Sequence, residues 1–186
     1  MIEKEHVLSM LKEVKEAISQ KDVLKLKDLS NQTIHSASIY QDPDNITLAV
    51  IIYSLSKLLE RSEYRENKDW PKLIEGFINN VEKAITFLEK NEDEKFSIEL
   101  QEVRDSIDHL SGDFKKQIQN VFQKASINKA SRIYEHGISM EKTSKLLGVS
   151  LFELASYAGS TSTADVDLGI TLPVSKRIKY AQEFFE

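Results

Sequence analysis

The chain has 186 residues, 40% hydrophobic and 30% charged, with a net charge of −5, six Gly, three Pro and no Cys. This excludes collagen-like, disulfide-scaffold and disordered chains, and so few turn residues argue against an all-β protein. Without Cys there is no disulfide, thiolate zinc site or cysteine nucleophile, and the length suffices for an apolar core.

Residues 1–6 are charged and lack an apolar h-region, so no signal peptide is expected and the protein reads as cytoplasmic. Val7, Met10, Leu11, Val14, Ala17 and Ile18 follow the spacing of an amphipathic helix. A second helix is predicted from Asp22 towards Ser38. Asp42-Pro43 then makes a strong helix start, Asp as cap and Pro in the first turn. The helix from Asp44 to about Glu60 is apolar nearly all round and belongs at the centre of a bundle. Its run without charge, Ile46 to Ser56, spans eleven residues, against the roughly 20 that a membrane span needs, so no membrane association is expected.

Asp69 and Pro71 open the next helix, with a stripe of Ile74, Phe77, Ile78, Val81, Ala84, Ile85 and Leu88. An acidic turn at 91–94 leads to Phe96, Leu100, Val103, Ile107 and Leu110. After Ser111-Gly112-Asp113, a long helix carrying Phe114, Ile118, Val121, Phe122 and Ala125 continues towards His136. Nothing alternates with period two for long enough to be a strand. Residues 160–172 read as a loop, and Thr171 and Pro173 begin a last helix through Phe185.

The clearest motif lies between Ile138 and Gly159. Gly137 and Gly148 sit where helices end, Ser139 can cap a first short helix, and Ser150 with Glu153 forms a Ser-x-x-Glu capping box for a second. Leu146, Leu147, Val149, Leu154 and Tyr157 fall where two such helices bury their angle, and Gly148-Val149-Ser150 is the short link of a helix-turn-helix. The stretch resembles the helix-turn-helix of DNA-binding regulators. Residues 130–139 followed by 146–154 resemble, more closely, the small antitoxin-like proteins that accompany PIN-domain toxins, which implies a toxin as protein partner. The overall organisation resembles uncharacterised archaeal helical proteins. The second helix, Ser150 to Ala158, holds no Lys, Arg, Asn or Gln, the residues that read base edges and grip phosphates. A packing unit for dimerisation or partner binding is therefore the larger expectation.

Between Asp113 and Glu135 there is no acid, while the interval holds Lys115, Lys116, Lys124, Lys129 and Arg132. Such a face could contact an RNA or DNA backbone with salt-dependent affinity. Equally, it could be a solvated face, or one that pairs with the acid-rich stretch 89–105.

Two further clusters suggest chemistry. Arg104 to His109 spells Arg-polar-x3-His, which resembles the ribonuclease signature of HEPN domains. The resemblance implies metal-independent cleavage, with Arg104 and His109 converging on the scissile phosphate. On an unbroken helix the two would diverge by about 140°, so convergence needs the helix to end near Leu110, or a dimer partner. The segment 30–44 is rich in hydroxyls and amides. Asn31, His35 and Ser38 form either a polar pocket or a buried polar network that fixes helix register. His35 with Asp42 and Asp44 is too small a set to specify a metal. No Gly-rich phosphate loop, His-Glu-x-x-His or nucleophile elbow is present, and no cofactor is implied.

The reading is an all-α protein: an N-terminal helical bundle over 1–110, then over 111–186 a long connecting helix, a helix-turn-helix-like unit and a terminal helix. The leading function is a non-catalytic regulatory or interaction protein, a homo-oligomer or bound to a protein partner. It would associate with nucleic acid or a ribonucleoprotein through the basic helix face. The alternatives are an HEPN-like ribonuclease and an antitoxin-like partner of a toxin.

Overall fold

A computed structural model of the protein describes residues 3–40, 42–110 and 112–161. Among the described residues there are nine α-helices, one 3-10 turn and no strand, so the architecture is all-α. The helices are α1 (Lys4–Gln20), α2 (Val23–Tyr40), α3 (Pro43–Glu60), α4 (Ser62–Arg65), α5 (Trp70–Glu89) and α6 (Asp93–Ser106). After the 3-10 turn Ile107–His109 come α7 (Gly112–Glu135), α8 (Met140–Leu147) and α9 (Leu151–Thr161). The one-turn α4 carries too short a pattern to be read from spacing. Ser160 and Thr161 extend α9 into the expected loop; the rest of that loop and the predicted terminal helix lie outside the described residues.

The helix starts follow their caps. The Asp42 side chain accepts from the Asp44 N–H at 3.0 Å, with Pro43 in the first turn of α3. Ser139 accepts from Lys142 N–H at the head of α8. The Ser150–Glu153 box is reciprocal: Ser150 Oγ accepts from Glu153 N–H, while a Glu153 oxygen accepts from Ser150 N–H, both at 3.1 Å. Asp69, in contrast, makes no side-chain cap on α5, where Pro71 alone marks the first turn.

The helix α3 forms the centre. Twelve of its side chains are buried, including Ile46, Leu48, Ile52, Leu55 and Leu58, and α2, α6, α7 and α8 all pack against it. Around this, α1 lies on α2 and α5, and α5 on α6. A continuous apolar core runs from Val7 on α1 to Leu154 on α9. The long helix α7 thus shares the bundle's core, and also carries α8 and α9. Leu147, Val149 and Leu154 are buried in the angle between α8 and α9, where Gly148 takes the left-handed conformation at φ 64°.

Scarcity of glycine leaves a cost at the end of α1. Lys21 closes that helix at φ 55°, its N–H donating to the carbonyls of Ala17 and Ile18. A left-handed non-glycine residue costs about 1–2 kcal/mol, part of which glycine gives back as extra unfolded-state entropy. Lys21→Gly should therefore stabilise the fold by a few tenths to about 1 kcal/mol. The measurement is a urea midpoint at unchanged slope; a lower midpoint contradicts the capping account.

Candidate ligand-binding cleft

Three helices open a cleft of about 580 Å³ where the bundle meets the C-terminal unit. Each contributes one stripe of side chains at one-turn spacing. From α3 come Tyr53, Lys57 and Glu60, with Arg61 just beyond its end. From α7 come Val121, Lys124, Ala125 and Asn128; from α9 come Phe152, Glu153, Ser156, Tyr157 and Ser160. The volume suits a drug-sized molecule, and an apolar lining with a few placed polar groups is the usual make-up of a binding site.

Hydrogen bonds fix the α7–α9 wall. Asn128 Nδ2 donates to the Tyr157 hydroxyl at 2.9 Å, and Gln123 Nε2 donates to Glu153 Oε1 at 3.1 Å. Burial, aided by the neighbouring Tyr157, pushes the Tyr53 phenol above its usual range, so this ring presents a neutral hydroxyl. Hydrogen bonds from Lys27 and Lys57 hold the Glu60 carboxyl down at about 2, with Nζ–Oε distances of 2.8 and 2.9 Å. The Ser150 hydroxyl and N–H, then Gln123, likewise hold Glu153 below the usual carboxylate range. Both acids of the cleft are therefore charged and already engaged in structural bonds.

The would-be recognition helix α9 turns an apolar, small-residue surface outwards. Phe152 is 83% exposed and Leu151 49%, with Ala155, Ser156 and Gly159 also exposed. One exposed Leu or Phe is ordinary, but here the two are adjacent and Phe152 edges the cleft.

The five basic residues of the connecting helix do not form one face. Lys129 is a correction to the sequence reading: it has no solvent exposure. Its ammonium donates to Asn31 Oδ1 at 2.9 Å and lies 4.3 Å from the centre of the Tyr53 ring. Lys129 falls on the α7 stripe of Val121, Ala125 and Ile133, four residues apart, so the helix must bury it to bury its neighbours. Lys115 pairs with Asp108 at 3.1 Å, Lys116 with Asp113 at 3.5 Å, and Arg132 with Glu135 at 2.9 Å. These acids come from the flanks of the stretch and not from residues 89–105. Lys124 is exposed and pairs with no acid among the described residues.

The other two expectations also change. Helix α6 does end before Leu110, yet Arg104 and His109 face different clefts. Arg104 lines one with Asp108, Gln119 and Ser126; His109 lines another with Asp69, Lys72 and Gly76. One chain therefore does not bring the pair onto a shared phosphate. The α2 part of the segment 30–44 is divided between two faces of that helix. Ser30 and Ser38 are buried, and their hydroxyls donate to the carbonyls of Ala49 and His35, both at 2.7 Å. Asn31 and His35 are exposed; Asn31 holds Lys129, and the His35 ring lies 5.0 Å from that of His136. So Asn31, His35 and Ser38 form neither one pocket nor one network. Among the described residues no group of three or more His, Asp or Glu is placed to hold a metal ion, and no helix is long and apolar enough to cross a membrane.

No family model, curated protein or solved structure matches the chain.

Tyr53, Arg61 and Phe152 are among the lining residues that sequence reasoning missed, because nothing local ties side chains at α3 to a ring on α9. Tyr157 was read as buried in the helix angle; it is half-buried, with its hydroxyl on Asn128.

The buried lysine has a measurable consequence. Burial, then the charge of Arg132, lowers Lys129 from the ordinary 10.5 to about 7. Between these values the unfolded chain holds a proton that the folded chain releases, so stability rises with pH across that window. Below about pH 7 the destabilisation is fully present. Lys129→Met keeps the length of the side chain and its contact with the Tyr53 ring while removing the charge. At pH 7 the variant should be more stable than wild type by about 1 kcal/mol or more. Wild type should close that gap as pH rises towards about 9.5, below the range where tyrosines titrate. A gap that stays constant with pH contradicts the assignment.

Proposed function

We propose that this protein is a non-catalytic regulatory protein that binds its ligand in the cleft between α3, α7 and α9. The supporting observation is where the walls come from. One belongs to the core helix α3, one to the connecting helix α7, and one to the helix-turn-helix-like unit. A bound molecule touches all three, so occupancy biases how α9 sits on the bundle, which is what a regulatory response requires. The state of the cleft's ionisable groups supports a binding role over a catalytic one. Glu60 and Glu153 are held charged by structural partners, and Lys57 is held by Glu60. A general acid or base needs a proton it can exchange near the working pH.

Nucleic-acid association through Lys115, Lys116, Lys124 and Arg132 has weaker support. Three of these four are paired with acids, and α9 offers no Lys, Arg, Asn or Gln to reach base edges or phosphates. Fluorescence anisotropy with a single-stranded RNA and a DNA duplex at physiological salt should show no saturable binding below about 1 μM, the tight end of non-specific association. In a small-fragment screen followed by amide chemical shifts, perturbations should cluster on Tyr53, Asn128, Phe152 and Tyr157. Saturable nucleic-acid binding that is lost on Lys124→Glu, or fragment shifts scattered over the surface, would overturn this reading.

A further inference from the structure

The cleft has a polarity that its apolar walls conceal. Its lining holds three cations, Lys57, Arg61 and Lys124, against two acids, Glu60 and Glu153. The acids are already answered: Glu60 by Lys27 and Lys57, Glu153 by Ser150 and Gln123. Lys57 is taken by the first of these pairs. Arg61 and Lys124 remain, on different walls. Lys124 pairs with no acid among the described residues. Arg61 meets the exposed Glu63 at 3.6 Å and the Tyr64 hydroxyl at 3.1 Å. A guanidinium has five N–H donors, so most of its capacity is left over. Such an exposed ion pair at that distance contributes little and is easily exchanged for a better acceptor. The same lining holds three aromatic rings, Tyr53, Phe152 and Tyr157.

We propose that the cleft binds an organic anion with an aromatic body. The anionic group lies between Arg61 and Lys124, and the body lies among the three rings. The charge is the discriminating element: an uncharged aromatic of the same shape fills the same walls but leaves Lys124 without an acid and Arg61 with only its exposed pair to Glu63. This proposal rests on the cleft being the binding site.

The test uses two fluorescent probes with one aromatic body. 8-Anilino-1-naphthalenesulfonate carries an anionic group, and N-phenyl-1-naphthylamine lacks it. Titrated into the full chain, the sulfonate should bind at one site per chain, about tenfold or more tighter than the amine, and more weakly as salt rises. Lys124→Glu and Arg61→Glu should each weaken the sulfonate by about tenfold and leave the amine unchanged. Ser156→Trp, which fills the cleft, should abolish both. Far-UV circular dichroism and the melting midpoint confirm that each variant is folded. Equal affinity for the two probes, both lost in Ser156→Trp, overturns the anion assignment and leaves the cleft as the binding site. Failure of both probes to bind the folded wild type, or binding that Ser156→Trp does not change, overturns both. Several sulfonates bound per chain with no effect of Lys124→Glu means adventitious dye binding, and equally overturns the assignment.

Discussion

The fold depends on covering α3. A helix that is apolar nearly all round gains little from one neighbour, because each uncovered flank leaves aliphatic surface in water at about 25 cal/mol per Å². The consecutive Val50, Ile51 and Ile52 point about 100° apart and are all buried, so cover must come from several sides. It does, from α2, α6, α7 and α8. The twenty-four residues of α7 follow from the same need. It packs along α3 and also carries α8 and α9, so the C-terminal unit is held by the helix that closes the core.

The cleft forms where that cover runs out. Towards its C-terminal end α3 exchanges aliphatic side chains for Tyr53, Lys57 and Glu60 on one face, and this face does not demand complete burial. Tyr53 and Lys57 are accordingly half-buried, and Glu60 is exposed. Buried Lys129 marks the edge of the same transition. One turn nearer the middle of α3 its position would have to be aliphatic. Here its ammonium finds the Tyr53 face and the Asn31 carbonyl oxygen, which offset part of the desolvation. The lowered Lys129 and the raised Tyr53 thus share one cause, a polar group carried to the margin of an apolar core.

Local physics made most of the helices legible. Every residue of the first predicted stripe, from Val7 to Ile18, is buried in α1. The caps at Asp42, Ser139 and Ser150 stand where a side-chain oxygen one to three residues before an orphan N–H had to be. Lys129 was legible too, though by phase and not by charge. Counting cations over 113–135 grouped it with Lys124, whereas counting in fours from Val121 places it with Ala125 and Ile133. The cleft was not legible, because it needs Tyr53 and Phe152, 99 residues apart, to line one cavity. Spacing rules describe one helix at a time. The pairing of His35 with His136, and of Arg104 and His109 with different clefts, are long-range facts of the same kind.

The helix-turn-helix pattern illustrates why a motif fixes local shape and leaves use open. Gly148, the capping box and the buried Leu147, Val149 and Leu154 are all requirements of the turn and the helix angle. None of them says what the outward face of α9 meets. That face is decided by residues the motif leaves free. Here they are Phe152, Ala155, Ser156 and Gly159, with no donor long enough to reach a base edge. Glu153, its one charge, is turned back to the Ser150 N–H and hydroxyl and across to Gln123 on α7. A carboxylate held in this way anchors the start of α9 to the connecting helix. Whatever enters the cleft therefore presses on a wall fastened at its N-terminal end, so displacement of α9 would act chiefly at its other end, beyond Tyr157.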